Sequence, residues 1–154
     1  MKWNSADVEI YVKSKEYVDT IVLPLLPVSF GDDIKQAASM TEFISLLSMQ
    51  LERQFKGRIM LLPGFTYLTA DPETSLSNIK RWEQEFRVKQ FQHIFYLTSD
   101  SNWKQHEAGL HGSLIWLPSL QIGNLDENYK TSILEDQVKQ LLNLFVQKWR
   151  EKES

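Results

Sequence analysis

Cysteine is absent from the 154-residue chain. That excludes disulfides, thiolate metal sites and cysteine nucleophiles, and it suits a reducing compartment. Glycine is scarce and scattered: none of the six forms a dinucleotide or P-loop pattern, so no glycine-rich phosphate cradle is present. A Gly-x-Ser-x-Gly elbow is missing too. No apolar run approaches the roughly 18 residues that a membrane span needs. Asp7 and Glu9 stand where a signal peptide would need an apolar stretch, so the expected location is the cytoplasm, with no membrane contact. Basic residues do not dominate either. Seventeen Lys and Arg against twenty Asp and Glu give a net charge of −3 with no basic block, which disfavours nucleic acid as a partner.

What is present is apolar and aromatic. The 12% aromatic content argues against disorder, and the length suits one domain, residues 1–154, with a sizeable core. Three short apolar runs end in Leu-Pro: Ile-Val-Leu-Pro-Leu-Leu-Pro at 21–27, Arg-Ile-Met-Leu-Leu-Pro at 58–63 and Ser-Leu-Ile-Trp-Leu-Pro at 113–118. A fourth run, 93–98, passes into Ser99-Asp100 instead. Apolar runs without polar alternation suit strands buried on both faces, as in a parallel sheet. Proline cannot donate to a ladder, so each Leu-Pro is expected to mark where its strand leaves the sheet.

Helical periodicity fills the intervals. Asn4 or Ser5 is expected to cap a first helix. Ser39 and Glu42 have capping-box spacing ahead of an apolar stripe through Phe43, Ile44, Leu47, Leu51 and Phe55, with Gly57 at the position of a left-handed cap. Ser75 is expected to cap a third helix with Leu76, Ile79, Trp82 and Phe86 inward and Lys80, Arg81, Glu83 and Glu85 outward. The strongest stripe is Leu134, Val138, Leu141, Phe145 and Trp149, in a helix from Asp126 or Ser132 to Arg150. Strands and helices alternate at βαβ spacing. The expected fold is therefore α/β: a single three-layer domain with a mostly parallel sheet of four to five strands flanked by helices. Its expected strand order is flavodoxin-like or Rossmann-like, with the first strand central.

In an open parallel sheet, ligands bind beyond the carboxyl ends of the strands. That rule selects the loops 28–33, 63–71, 98–111 and 118–124. The first offers Ser29, Asp32 and Asp33, which suit either a hard cation or a plain helix start. A receiver domain also puts acids there, but the run that would carry its phosphoacceptor ends in Leu-Pro-Gly, and no Lys follows the last strand. The third loop offers Thr98, Asp100, Trp103 and His106. Trp103 is expected to be partly exposed, either as a contact residue or as a cover for the end of the sheet. His106 and His111 resemble a zincin pair but stand five apart, where two ligands on one helical face need four. Neither a metal nor a cofactor is expected, and no residue is assigned a catalytic role. On the last helix, Leu142 and Val146 widen the apolar arc beyond one core-facing stripe, which makes them candidates for contact with a protein partner or a second copy.

The opening Met-Lys-Trp-Asn-Ser-Ala-Asp-Val-Glu, and Lys-Glu-Tyr-Val-Asp-Thr at 15–20 running into Val22-Leu23-Pro24-Leu25, resemble the YpiF-like family of Bacillus-type bacteria. The resemblance extends over the chain in length and layout. It implies a small cytoplasmic bacterial protein from a family of uncharacterised members and carries over no catalytic residues. Two functional classes follow. One is a non-enzymatic interaction or regulatory domain. The other is a small-ligand-binding protein or hydrolase-type enzyme using the loops at the carboxyl ends of the strands. A chelator is expected to leave the melting curve in place. A stoichiometric metal, found by elemental analysis and lost in His106→Ala, would show that the five-residue spacing had been misjudged.

Overall fold

The computed structural model of the protein describes residues 1–89 and 91–153. The strands are β1 (Thr20–Val28), β2 (Ile59–Leu61), β3 (Phe65–Leu68), β4 (His93–Thr98) and β5 (Ser113–Trp116). The helices are α1 (Ser5–Lys13), α2 (Ile34–Gln54), α3 (Pro72–Val88) and α4 (Glu127–Glu153). The sheet order is β2-β1-β4-β5, with β3 also against β1, and every pairing is parallel. The chain first crosses to one side of β1 and then jumps to the other, which makes the carboxyl ends of β1 and β4 the switch point of the sheet.

β2 and β3 share one edge of β1. Val22 pairs with Leu61 and Leu25 with Phe65, so two residues of β1 face the three residues Leu62, Pro63 and Gly64. Side chains alternate with a period of two, so the extra residue resets the faces. Met60 and Tyr67 consequently contribute to the same core cluster despite their odd separation.

β1 contains both of its prolines, contrary to the expectation that Leu-Pro ends a strand. The reason lies in the direction of its backbone groups. Thr20 N–H donates to the Arg58 carbonyl and Leu62 N–H to the Val22 carbonyl, so even positions of β1 address the β2/β3 edge. Pro24 therefore turns its missing N–H toward the break at 62–64. Pro27 turns its own toward β4, beyond the last pair, Pro24 with Leu97. Neither proline removes a ladder bond that a partner could accept.

Two cores result, one on each face. Val22, Phe95, Leu97 and Ile115 pack beneath α2 and α4, where Phe145 stacks on Phe95 at 4.0 Å between ring centres. Ile21, Leu23, Ile94 and Tyr96 pack beneath α3, with Tyr11 of α1 against the same cluster. Helix, sheet and helix make the three layers.

Several helix details depart from the sequence reading. α2 starts at Ile34 after Asp33, ahead of Ser39; residues 34–36 are exposed, and its buried face begins only at Ala37. Gly57 is not left-handed. α3 is capped by Asp71, whose carboxylate accepts the Thr74 N–H, with Pro72 in the first turn. Trp82 is 50% exposed, whereas Glu83, placed outward by the charge pattern, is only 3% exposed. Its carboxylate accepts Tyr96 OH at 2.7 Å and the N–H groups of His111 and Gly112 at 2.9 and 2.8 Å. One side chain thus ties α3 to β4 and to the turn before β5. Gly112 is needed there, since a Cβ would lie 2.9 Å from the Ile94 carbonyl oxygen and 2.7 Å from the Tyr96 ring.

Glu83→Ala removes the acceptor of one buried donor, Tyr96 OH, and of two partly buried N–H groups, at up to about 1–3 kcal/mol each. We expect it to lower unfolding free energy in urea by about 3–5 kcal/mol, with Gly112→Ala also destabilising. Glu85→Ala, two residues along on the exposed side, should stay within about 0.5 kcal/mol. Equal effects of the two Glu substitutions would contradict the bridging role.

Candidate functional site

The strand-end residues divide into two groups. Ser29, Asp32 and Asp33 occupy the short turn between β1 and α2. The Ser29 hydroxyl donates to the Asp33 carboxylate and accepts the Gly31 N–H, while Asp32 and Asp33 are exposed. The Ser29 and Asp33 side chains thus brace a local turn ahead of α2.

Thr98, Asp100, Trp103 and His106 do come together. Thr98 Oγ1 accepts the Asp100 N–H at 3.0 Å. The Asp100 carboxylate accepts Tyr67 OH at 2.8 Å and the Asn102 N–H at 3.0 Å, capping a 3-10 segment, Ser101–Gly109. Tyr67 belongs to β3 and Asp100 follows β4, so their bond spans the end of β1. Trp103 is 4% exposed, not partly open, and meets Tyr67 edge-on at 5.3 Å and His106 at 6.1 Å. It covers the end of the sheet. The remaining cleft is small, about 270 Å³, and is lined by Asp100, Trp103 and His106 with Tyr67, Ser75 and Gln105. Nε2 of His106 is buried there without a hydrogen-bond partner. No group of three or more acidic or imidazole ligands converges among the described residues.

A second cleft was not foreseen. It measures about 700 Å³ and lies on the α1/α3 side of the sheet, beside the break at 62–64. Six aromatic side chains line it: Trp3, Tyr11, Phe65, Trp82, Phe86 and Phe91. Its floor is buried sheet and helix surface, with Ile21 and Met60 each 2%, Leu23 3% and Phe86 5% exposed. Its exposed wall carries Lys15, Glu85 and Lys89, together with Trp3 and Trp82. Tyr11 and Phe91 stack at 6.1 Å, and burial raises the Tyr11 hydroxyl above its usual pKa. Sequence reading assigned Trp82 and Phe86 to the core stripe of α3. The strand-end rule had selected the loop 63–71, and its residues Pro63, Gly64, Phe65 and Thr66 line this cleft, but nothing in the sequence joined them to the aromatic residues of α1 and α3.

Leu142 and Val146 are half-buried and pack partly against the α2/α4 core. Outside them is a shallow groove on α4 that also includes Asn143 and Arg150. No helix among the described residues is long and apolar enough to cross a membrane.

The chain belongs to the family described as "Protein of unknown function (DUF2487)", which matches residues 9–149. It is similar to a Bacillus subtilis (strain 168) protein titled "Uncharacterized protein YpiF", at 36% identity over 149 residues, which is 97% of this chain and 98% of that protein. No solved structure matches.

Burial, followed by the Asp100 charge, raises the Tyr67 hydroxyl well above the usual tyrosine value, and burial followed by the bond to Glu83 does the same for Tyr96. An ordinary tyrosine titrates near 10. Above about pH 10 the folded chain therefore holds protons that the unfolded chain releases, so stability is full below about pH 10 and falls as pH rises. Of the five tyrosines, these two should ionise only as the protein unfolds. We expect Tyr67→Phe to flatten the alkaline fall in Tm and, by stranding an oxygen of Asp100, to lower neutral stability by about 1–3 kcal/mol. An unaltered alkaline slope in Tyr67→Phe would contradict this account.

Proposed function

We propose that the protein is a non-enzymatic binding domain, interacting or regulatory in role and cytoplasmic. Its working surface is the aromatic cleft between α1, α3 and the β2/β3 edge. One contrast carries the reading. The strand-end cleft, where a hydrolase would keep its reacting groups, holds about 270 Å³, and the Asp100 carboxylate in it is occupied by Tyr67 and Asn102. The aromatic cleft holds about 700 Å³. That size is typical of a small-ligand site, and its wall is apolar with a few polar groups. Lys15, Glu85 and Lys89 supply charge at the cleft, but among the described residues no nucleophile with an adjacent base lines it.

An anilinonaphthalene sulfonate dye provides the test. It should bind saturably at one site per chain. Trp82→Asp alters a half-exposed residue, so it should leave the fold intact while weakening binding by about tenfold or more, the equivalent of about 1.4 kcal/mol. Leu142→Glu with Val146→Lys, on the opposite layer, should leave dye affinity unchanged. Dye affinity equal in wild type and Trp82→Asp, or lost only in the α4 pair, would refute the assignment to this cleft.

A further inference from the structure

We infer that the aromatic cleft takes a linear amphipathic anion, with its apolar tail on the sheet floor and its carboxylate at the wall that carries Lys15 and Lys89; this rests on the reading of the cleft as a ligand site. Three observations lead there. The first is the separation of polarity within one cavity. The floor residues Ile21, Leu23 and Met60 are all buried and apolar, while the charged lining residues Lys15, Glu85 and Lys89 are exposed. A ligand that is apolar throughout would leave those charges facing hydrocarbon, and one polar throughout would dehydrate for no gain on the floor. An amphipath satisfies both zones.

The second is the sign of the charge. Aromatic walls often receive organic cations over their ring faces. Here two ammonium groups stand against one carboxylate. Neither Lys15 nor Lys89 takes part in an ion pair among the described residues, so both remain available to an incoming anion. The third is size. A cleft of about 700 Å³ accommodates a single chain of modest length, whereas a stable protein partner needs about 800 Å² of flat contact on each side.

Titration calorimetry with dodecanoate, dodecanol and dodecyltrimethylammonium, each below its micellar concentration, tests the inference. Dodecanoate should bind about tenfold or more tighter than dodecanol, and the cation more weakly than either. Octanoate should bind more weakly than dodecanoate by about fourfold per methylene removed. In Lys15→Gln with Lys89→Gln, the preference for dodecanoate over dodecanol should disappear while dodecanol binding persists. Equal affinity for dodecanoate and dodecanol in the wild type overturns the anion assignment and leaves the ligand-site reading standing, as does tighter binding of the cation. Failure of all three amphipaths while the dye still binds overturns the inference alone, and failure of amphipaths and dye together takes down both. Sedimentation showing a dimer that Trp82→Asp dissolves would assign the cleft to a second copy instead.

Discussion

Backbone pairing of β1 along both of its edges is the constraint on which the other elements depend. Its even positions address β2 and β3, its odd positions address β4, and every crossover is measured from it. A central strand tolerates proline only where no partner waits for its N–H. Pro24 and Pro27 meet that condition in different ways, one against a break in the neighbouring strand and one beyond the reach of β4. The insertion at Leu62–Gly64 then has two effects. It accommodates Pro24, and it returns Phe65 and Tyr67 to the face where α3 packs.

The same arrangement decides what becomes of the switch point. In open α/β sheets that crevice is the usual place for a ligand. Here the bond from Tyr67 to Asp100 passes over the end of β1, and Trp103 closes against Tyr67. Asp100, the buried acid of that crevice, is taken up by a cap and a tyrosine, and open apolar volume lies instead beside the irregular edge, where β2 gives way to β3.

Much of the architecture was legible because it depends on short-range signals. The four apolar runs at 21, 58, 93 and 113 each contain a strand, and the α4 stripe at Leu134, Val138, Leu141, Phe145 and Trp149 is buried as its spacing requires. Helix starts were less legible. Periodicity begins only where a helix meets the sheet, so the exposed start of α2 left no trace, and Ser75 read as the cap of α3 when Asp71 is the cap and Pro72 opens the first turn. Glu83 was misplaced for a different reason. A charge sits at a buried helical position because three donors from β4 and the next turn converge on it, and that convergence exists only in space. The aromatic cleft was illegible in the same way. Trp3, Tyr11, Phe65, Trp82 and Phe91 come from four separate stretches of sequence, and no local pattern relates them. The strand-end candidates Thr98, Asp100, Trp103 and His106 are contiguous enough in sequence to have been grouped, whereas Ser29, Asp32 and Asp33 remain apart from them.

One contact joins the first strand to the last helix. The indole N–H of Trp149 donates to Thr20 Oγ1 at 2.9 Å across 129 residues, and the Arg58 guanidinium lies over the same indole ring at 4.0 Å. β1 is synthesised early, but the face of the sheet that α2 covers is completed only by α4. Until that helix emerges from the ribosome, Val22, Phe95 and Leu97 line an open apolar surface on a sheet of parallel strands, a topology that is slow to close. A nascent chain arrested before residue 127 would therefore present a sticky half-sandwich. Closing this face of the sheet therefore waits for the last helix of the chain.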